Sequence, residues 1–216
     1  MESLIELSAQ NSLINSYLAE MRDIDQQKDP HRFKENLESI GQIMAYEISK
    51  SFDFKEQTVE TPLANAKVKL IDEEIVVAGI LRAALPLQQG FLKAFRNADA
   101  AFIAAYRNTT EGYEFEIVTE YEAKPVLNGK TLIIVDPMCA TARSLMACYE
   151  KLTLGYEPKK VIFASVFASK VGIETIVSNL PHIVHYTCVV DEHLNAKSYI
   201  VPGLGDAGDL AFGNKT

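Results

Sequence analysis

The sequence has no surplus of positive charge. Its 21 Lys and Arg stand against 29 Asp and Glu, for a net charge of −8. That balance argues against a broad nucleic-acid or anionic-membrane surface, because such partners need a basic field. A small polyanion held in a local basic pocket stays open. Cysteine is scarce: Cys139, Cys148 and Cys188 are odd in number and not closely paired. This argues against a disulfide framework and for a reducing compartment. There is no Cys-x-x-Cys, and His31, His182, His185 and His193 have no zinc-type spacing. No apolar run approaches the ~20 residues that span a bilayer. The opening MESLIELSAQNSL lacks the basic n-region of a signal peptide. The expectation is a cytoplasmic protein with no membrane and no nucleic-acid partner. No internal repeat, low-complexity tract or second-domain linker interrupts the 216 residues, so one domain is expected.

What is present is alternation. Residues 3–20 have a moderate helical pattern, and 22–30 form a polar connector ending in Pro30. Phe33, Leu37, Ile40, Met44, Ile48 and Phe52 fall three or four apart, which predicts an amphipathic helix packed on the core. Residues 57–71 alternate weakly around Pro62 and Asn65, as a small hairpin or edge strand does. From residue 74, strand-length apolar runs (74–82, 99–107, 131–136, 159–169, 182–190) alternate with helical patterns (84–95, 141–154, 170–180). Residues 108–125, centred on Gly112, predict a protruding β-hairpin arm. The predicted fold is α/β, with a mainly parallel central sheet flanked by helices and right-handed crossovers. Its parts are N-terminal helices over 1–52, a core over 74–190 and a segment over 191–216. That last segment contains YIVPGLGDAGD, whose Gly and Pro content rules out a regular helix or central strand.

Chemistry concentrates where strands end. Arg82, Arg107 and Asp136 each close a predicted strand, and ligands of parallel sheets sit beyond such ends. Arginine forks pair with phosphate oxygens, and a carboxylate accepts hydrogen bonds from sugar hydroxyls. After Asp136 a loop of small and hydroxyl residues leads into a helix, whose N-terminus offers open N–H groups to an anion. Thr141 and Ser144 add hydroxyls. These features point to a phosphorylated-sugar or nucleotide site, with ordinary caps and surface arginines as the structural alternative. Cys139 inside the loop reads as a small apolar filler, with redox sensitivity open because a helix N-terminus lowers a thiol pKa.

Four stretches resemble the uracil phosphoribosyltransferases. VDPMCATARS resembles their loop for phosphoribosyl diphosphate (PRPP), ILRAALPLQQG their diphosphate-side loop, AAYR a strand end, and YIVPGLGDAGD their uracil-binding segment. The resemblance runs in order from about Asp23 to Gly213. It implies transfer of 5-phosphoribosyl from PRPP to uracil, giving uridine monophosphate (UMP) and diphosphate. It implies Asp136 on the ribose hydroxyls and Pro137, Met138, Cys139, Ala140, Thr141, Ala142, Arg143 and Ser144 around the 5′-phosphate. It also implies Arg82 and Arg107 toward the diphosphate, and Ile200, Gly205, Asp206 and Ala207 reading uracil, with Asp206 on the PRPP side as well. Arg82, Arg107, Asp136 and Asp206 are thus the expected catalytic set. Mg²⁺ is expected to arrive bound to PRPP, with no metal site of the protein's own. The resemblance further implies a homodimer or higher homo-oligomer.

The sequence departs from the family pattern at two loops. Ala142-Arg143 stands where glycines are usual, and Ala84 and Pro86 replace two more. Glycine permits positive φ and close approach to phosphate. These departures leave a second expectation: a weakened or inactive member that binds uracil or UMP as a sensor or partner-binding module.

Overall fold

The computed structural model describes residues 3–109 and 115–214, and for 106–109 and 115–120 the backbone alone. Gly112, the centre of the predicted arm, lies outside the described residues.

The amphipathic stripe forms helix α2 (Pro30–Ser49). Asp29 caps it, its carboxylate accepting from the N–H groups of His31 and Arg32, and Pro30 occupies the first turn, where a missing N–H costs nothing. Phe33, Leu37, Ile40, Met44 and Ile48 are all buried. They cover one face of the sheet together with α1 (Leu13–Arg22), α3 (Leu85–Ala94) and α6 (Ala207–Phe212). The other face is covered by α4 (Arg143–Thr153) and α5 (Lys170–Asn179), through residues such as Leu145, Leu152, Ile173 and Ile176.

The sheet has seven strands: β1 (Leu4–Glu6), β4 (Ile75–Leu81), β5 (Asp99–Thr109), β6 (Phe115–Ala123), β7 (Thr131–Cys139), β8 (Lys160–Ser169) and β9 (Val184–Asp191). The order is β1-β9-β8-β7-β4-β5-β6. All neighbours are parallel except β5 and β6. Covered on both faces, β4 and β8 read as continuous apolar runs. From β4 the chain moves to β5 on one side, and from β7 to β8 and β9 on the other. The reversal leaves a crevice between β4 and β7, where open α/β sheets take their ligands.

Several boundaries differ from the sequence expectation. Residues 3–20 are not one helix: Leu4–Glu6 is an edge strand registered on His185, Tyr186 and Thr187, and Ser12 starts α1 through a capping box with Asn15. β7 continues past Asp136 to Cys139. It loses β4 as a neighbour after Val135, so the absent N–H of Pro137 falls where the ladder is already one-sided. The tail does contain a helix, α6, which begins at Ala207 where Asp206 caps it. The hairpin signal at 57–71 is a separate two-stranded ribbon, β2 (Phe54–Glu60) with β3 (Asn65–Ile71). The predicted arm is less independent than expected. Its second strand, β6, pairs with β5 from Phe102 to Thr109 and forms the edge of the main sheet.

Candidate active site

A cavity of about 640 Å³ opens at the β4/β7 crevice. β4 ends into it with Ile80, Leu81 and Arg82, and β7 contributes Asp136 and Met138. Ala140 and Ser144 follow from the loop and the first turn of α4. The opposite wall is the tail, from Ser198 through Ile200 and from Gly205 through Gly208.

Asp136 is half-buried, and its Oδ1 accepts from the N–H of Met138 at 3.2 Å. Burial pushes its carboxyl up to about 7; the Met138 N–H pulls the other way, and the charge of Asp206 adds to the rise. Asp206 is itself held as the cap of α6, accepting from the N–H groups of Gly208 (2.8 Å) and Asp209 (3.1 Å).

The loop between β7 and α4 turns on Ala142, at φ 62° and ψ −3°. Alanine in the left-handed region costs about 1–2 kcal/mol, so the surroundings must hold it there. Ser169, at the end of β8, donates from Oγ to the carbonyl of Ala140 at 2.5 Å and accepts from the N–H of Gly172 at 2.9 Å. One hydroxyl thus caps α5 and ties that cap to the loop. At Gly172 a Cβ would lie 2.5 Å from the Ala140 oxygen, so only glycine lets α5 press this close. No side chain among the described residues caps α4. Its first-turn N–H groups, beside Ser144, are placed to donate to an anion.

Arg82 is 40% exposed and reaches α6, with Nη2 3.2 Å from Asp209 and 3.4 Å from the carbonyl of Gly213. The backbone of Arg107 lies on β5 opposite Ile117; its side chain lies outside the described residues. Of the residues singled out from sequence, Arg82, Asp136, Met138, Ala140, Ser144, Ile200, Gly205, Asp206 and Ala207 line the one cavity. Pro137, Cys139 and Ala142 are buried behind it, and Arg143 is exposed at the head of α4. Thr141 sits in the loop between β7 and α4, off the cavity lining. Burial drives the Cys139 thiol upward, with Asp136 reinforcing the shift. Buried and with its thiol held protonated, Cys139 fits the reading as a small apolar filler and not the redox-sensitive one left open. Ala84 is buried and Pro86 sits in the first turn of α3; neither faces the cavity. The missing Pro86 N–H is one of the groups a helix start leaves unpaired in any case.

The cavity is also lined by Ile80, Leu81, Ala83, Ala105, Ser198, Tyr199 and Gly208, to which the sequence assigned no individual role. All but Ser198 lie within the stretches ILRAALPLQQG, AAYR and YIVPGLGDAGD.

The family model described as uracil phosphoribosyltransferase matches residues 8–214. The chain belongs to the uracil phosphoribosyltransferase family. The uracil phosphoribosyltransferase of Porphyromonas gingivalis is 42% identical over 98% of this chain and 99% of its own length. That of Pyrobaculum arsenaticum is 40% identical over 83% of this chain and 86% of its own. Among solved structures, the AQ2163 protein from Aquifex aeolicus superposes with a TM-score of 0.87 at 30% identity, covering 97% of this chain and 98% of that one. A hypoxanthine phosphoribosyltransferase from Staphylococcus aureus shares the fold at a TM-score of 0.51 and 11% identity, covering 74% and 76% of the two chains. The uracil phosphoribosyltransferase family thus accounts for the chain along nearly its whole length.

Proposed function

We propose that this protein transfers the 5-phosphoribosyl group of PRPP to uracil, giving UMP and diphosphate. One observation carries the proposal. The cavity sets an uncapped helix N-terminus and a carboxylate against a separate tail loop, in a chain of the uracil phosphoribosyltransferase family.

In this reading the 5′-phosphate lies on the first turn of α4 and the Ser144 hydroxyl, and Asp136 accepts from the ribose hydroxyls. Backbone groups of Ile200 and of Gly205 through Ala207 read the uracil edge. N1 of uracil attacks C1′, the bond from C1′ to the diphosphate oxygen breaks, and the N1 proton is released. No protein nucleophile is needed. Rate enhancement comes from alignment and from stabilising the departing charge. Arg82 meets the diphosphate by exchanging Asp209 for it; an exposed pair of this kind contributes about 1 kcal/mol or less, so a phosphate displaces it readily. Arg107 is assigned to the same task. Mg²⁺, arriving on PRPP, would when bound neutralise part of the diphosphate charge. Such an ion keeps its phosphate and water ligands, and Asp136 and Asp206 would be the carboxylates of the cavity nearest to it.

Self-association is proposed as well. The β2–β3 ribbon has uniformly exposed β2 residues and puts Leu63, at 97% exposure, on its tip. A two-stranded ribbon is marginal alone, and a second copy of the chain supplies the missing cover. Cys139, Cys148 and Cys188, all free and buried, support a reducing compartment such as the cytoplasm. No helix among the described residues is long and apolar enough to cross a membrane.

The test is to incubate the protein with radiolabelled uracil, PRPP and Mg²⁺. Labelled UMP is the expected product. Absence of labelled nucleotide at high protein concentration, with the ligands still bound, would instead support the sensor alternative.

A further inference from the structure

The tail loop is not held by its own residues alone. Arg22, the last residue of α1, forms a two-pronged ion pair with Asp191 at the end of β9: Nη1 to Oδ2 at 3.0 Å and Nη2 to Oδ1 at 2.7 Å. The same pair grips the backbone of Gly203 from both sides. Arg22 Nη1 donates to the Gly203 carbonyl at 3.0 Å, and the Gly203 N–H donates to Asp191 Oδ2 at 3.0 Å. The guanidinium carbon lies 4.7 Å from the centre of the Phe167 ring, which fixes the plane of the fork. Asp191 is only 6% exposed, and the neighbouring Met21 is fully buried. The clamp is therefore anchored in the core at both ends.

Gly203 sits at φ 51°, and a Cβ there would lie 2.2 Å from the carbonyl oxygen of Ile200. The turn from Ile200 to Gly203 is thus tightly closed, and the clamp holds it at its last residue. Ile200 lines the cavity before this turn and Gly205 lines it directly after. Arg22 and Asp191 do not line it.

We infer that Arg22 and Asp191 are positioning residues for the nucleobase. They fix the spacing between Ile200 and Gly205–Ala207 without touching ligand, so base affinity depends on a helix that lies outside the catalytic core in sequence. The inference rests on the reading of this tail as the uracil side of the site.

Hydrogen exchange of the ligand-free protein tests the clamp alone. In Arg22→Met, amide protection should fall from Gly203 to Gly208 and stay unchanged in the buried strand β7. Steady-state kinetics then test the consequence. The KM for uracil should rise by about tenfold or more, with the KM for PRPP and kcat within about twofold. Arg22→Lys, which keeps the charge and loses the fork, should fall between the two. Asp191→Asn carries the same readouts if Arg22→Met does not fold. Unchanged exchange at Gly203–Gly208, or an equal rise in both KM values, overturns the inference. Altered exchange with a wild-type protein that does not use uracil leaves the clamp standing and sinks the functional reading instead.

Discussion

The two walls of the cavity are built by different means. The phosphate-side wall, Asp136 to Ser144, is an extension of the sheet. β7 carries it in, β8 pairs with it as far as Cys139, and Ser169 ties its loop to α5. The base-side wall, Ile200 to Gly208, is irregular chain with one short ribbon, β10 (His193–Leu194) with β11 (Ile200–Val201), and the six-residue α6. Its shape depends on polar ties: the Arg22–Asp191 pair and the Arg82–Asp209 contact from distant elements, and the local Asp206 cap. Sheet pairing sets most of the first wall, while the second, though Ile200, Leu204 and Ala207 pack into the core, depends more on discrete hydrogen bonds. Substitutions in the first should therefore disturb the use of PRPP, with stability lost as well where a tie to the sheet is cut, while substitutions in the second should disturb the use of uracil.

The largest effect is expected at Asp136. Asp136→Ala removes the proposed ribose contact and should lower kcat/KM for PRPP by about 100-fold, the size of a lost positioning contact. Uracil affinity measured by calorimetry in the absence of PRPP should barely change. A parallel loss of both would break the division between the walls.

Ser169→Ala comes next. It removes the α5 cap and the tie to Ala140 at once. Loss of the cap should cost about 1 kcal/mol in chemical denaturation, and the KM for PRPP should rise several-fold. A stability loss with PRPP kinetics untouched would show that the loop holds itself.

The carboxyl of Asp136 also makes the phosphate-side wall sensitive to pH. It is pushed from an ordinary 3.8 up to about 7, so across that interval the folded protein holds a proton that the unfolded chain has released. This group's contribution to stability accordingly falls as pH rises through the interval. Ligand binding runs the other way, because the ionised carboxylate is the better acceptor for two hydroxyls. PRPP affinity should strengthen from pH 5.5 toward 7.5, and Asp136→Asn should flatten the profile. Calorimetric titrations across that range check both.

The smallest effect is expected at Ala142. Glycine there relieves about 1–2 kcal/mol of left-handed backbone cost. It loses a buried methyl worth about 0.8 kcal/mol and gains unfolded-state freedom worth about 0.5–1 kcal/mol. These nearly cancel, so Ala142→Gly should shift stability by less than about 1 kcal/mol and leave turnover within a few-fold. A large gain in activity would mean that the alanine distorts the phosphate loop.

Much of this frame is legible in the residues themselves. The spacing of Phe33 through Ile48 specifies α2, and the apolar runs at 74–82 and 159–169 specify β4 and β8. The less legible parts are those whose conformation is decided by a distant partner. Leu4–Glu6 is too short to declare itself a strand until β9 stands beside it. The strand through Pro137 depends on β4 having ended at that level. At the site, Asp136, Asp206 and Ile200 follow from local motifs. The roles of Ser169, Arg22 and Asp191 rest on contacts across the fold, and no local pattern marks them.

The most direct measurement of the two-wall account is a crystal structure of the protein with UMP. The account predicts the 5′-phosphate on the first turn of α4 beside Ser144, the ribose hydroxyls on Asp136, and the uracil edge between Ile200 and Ala207. A nucleotide lying in the reverse orientation, or one whose phosphate sits away from α4, would contradict it.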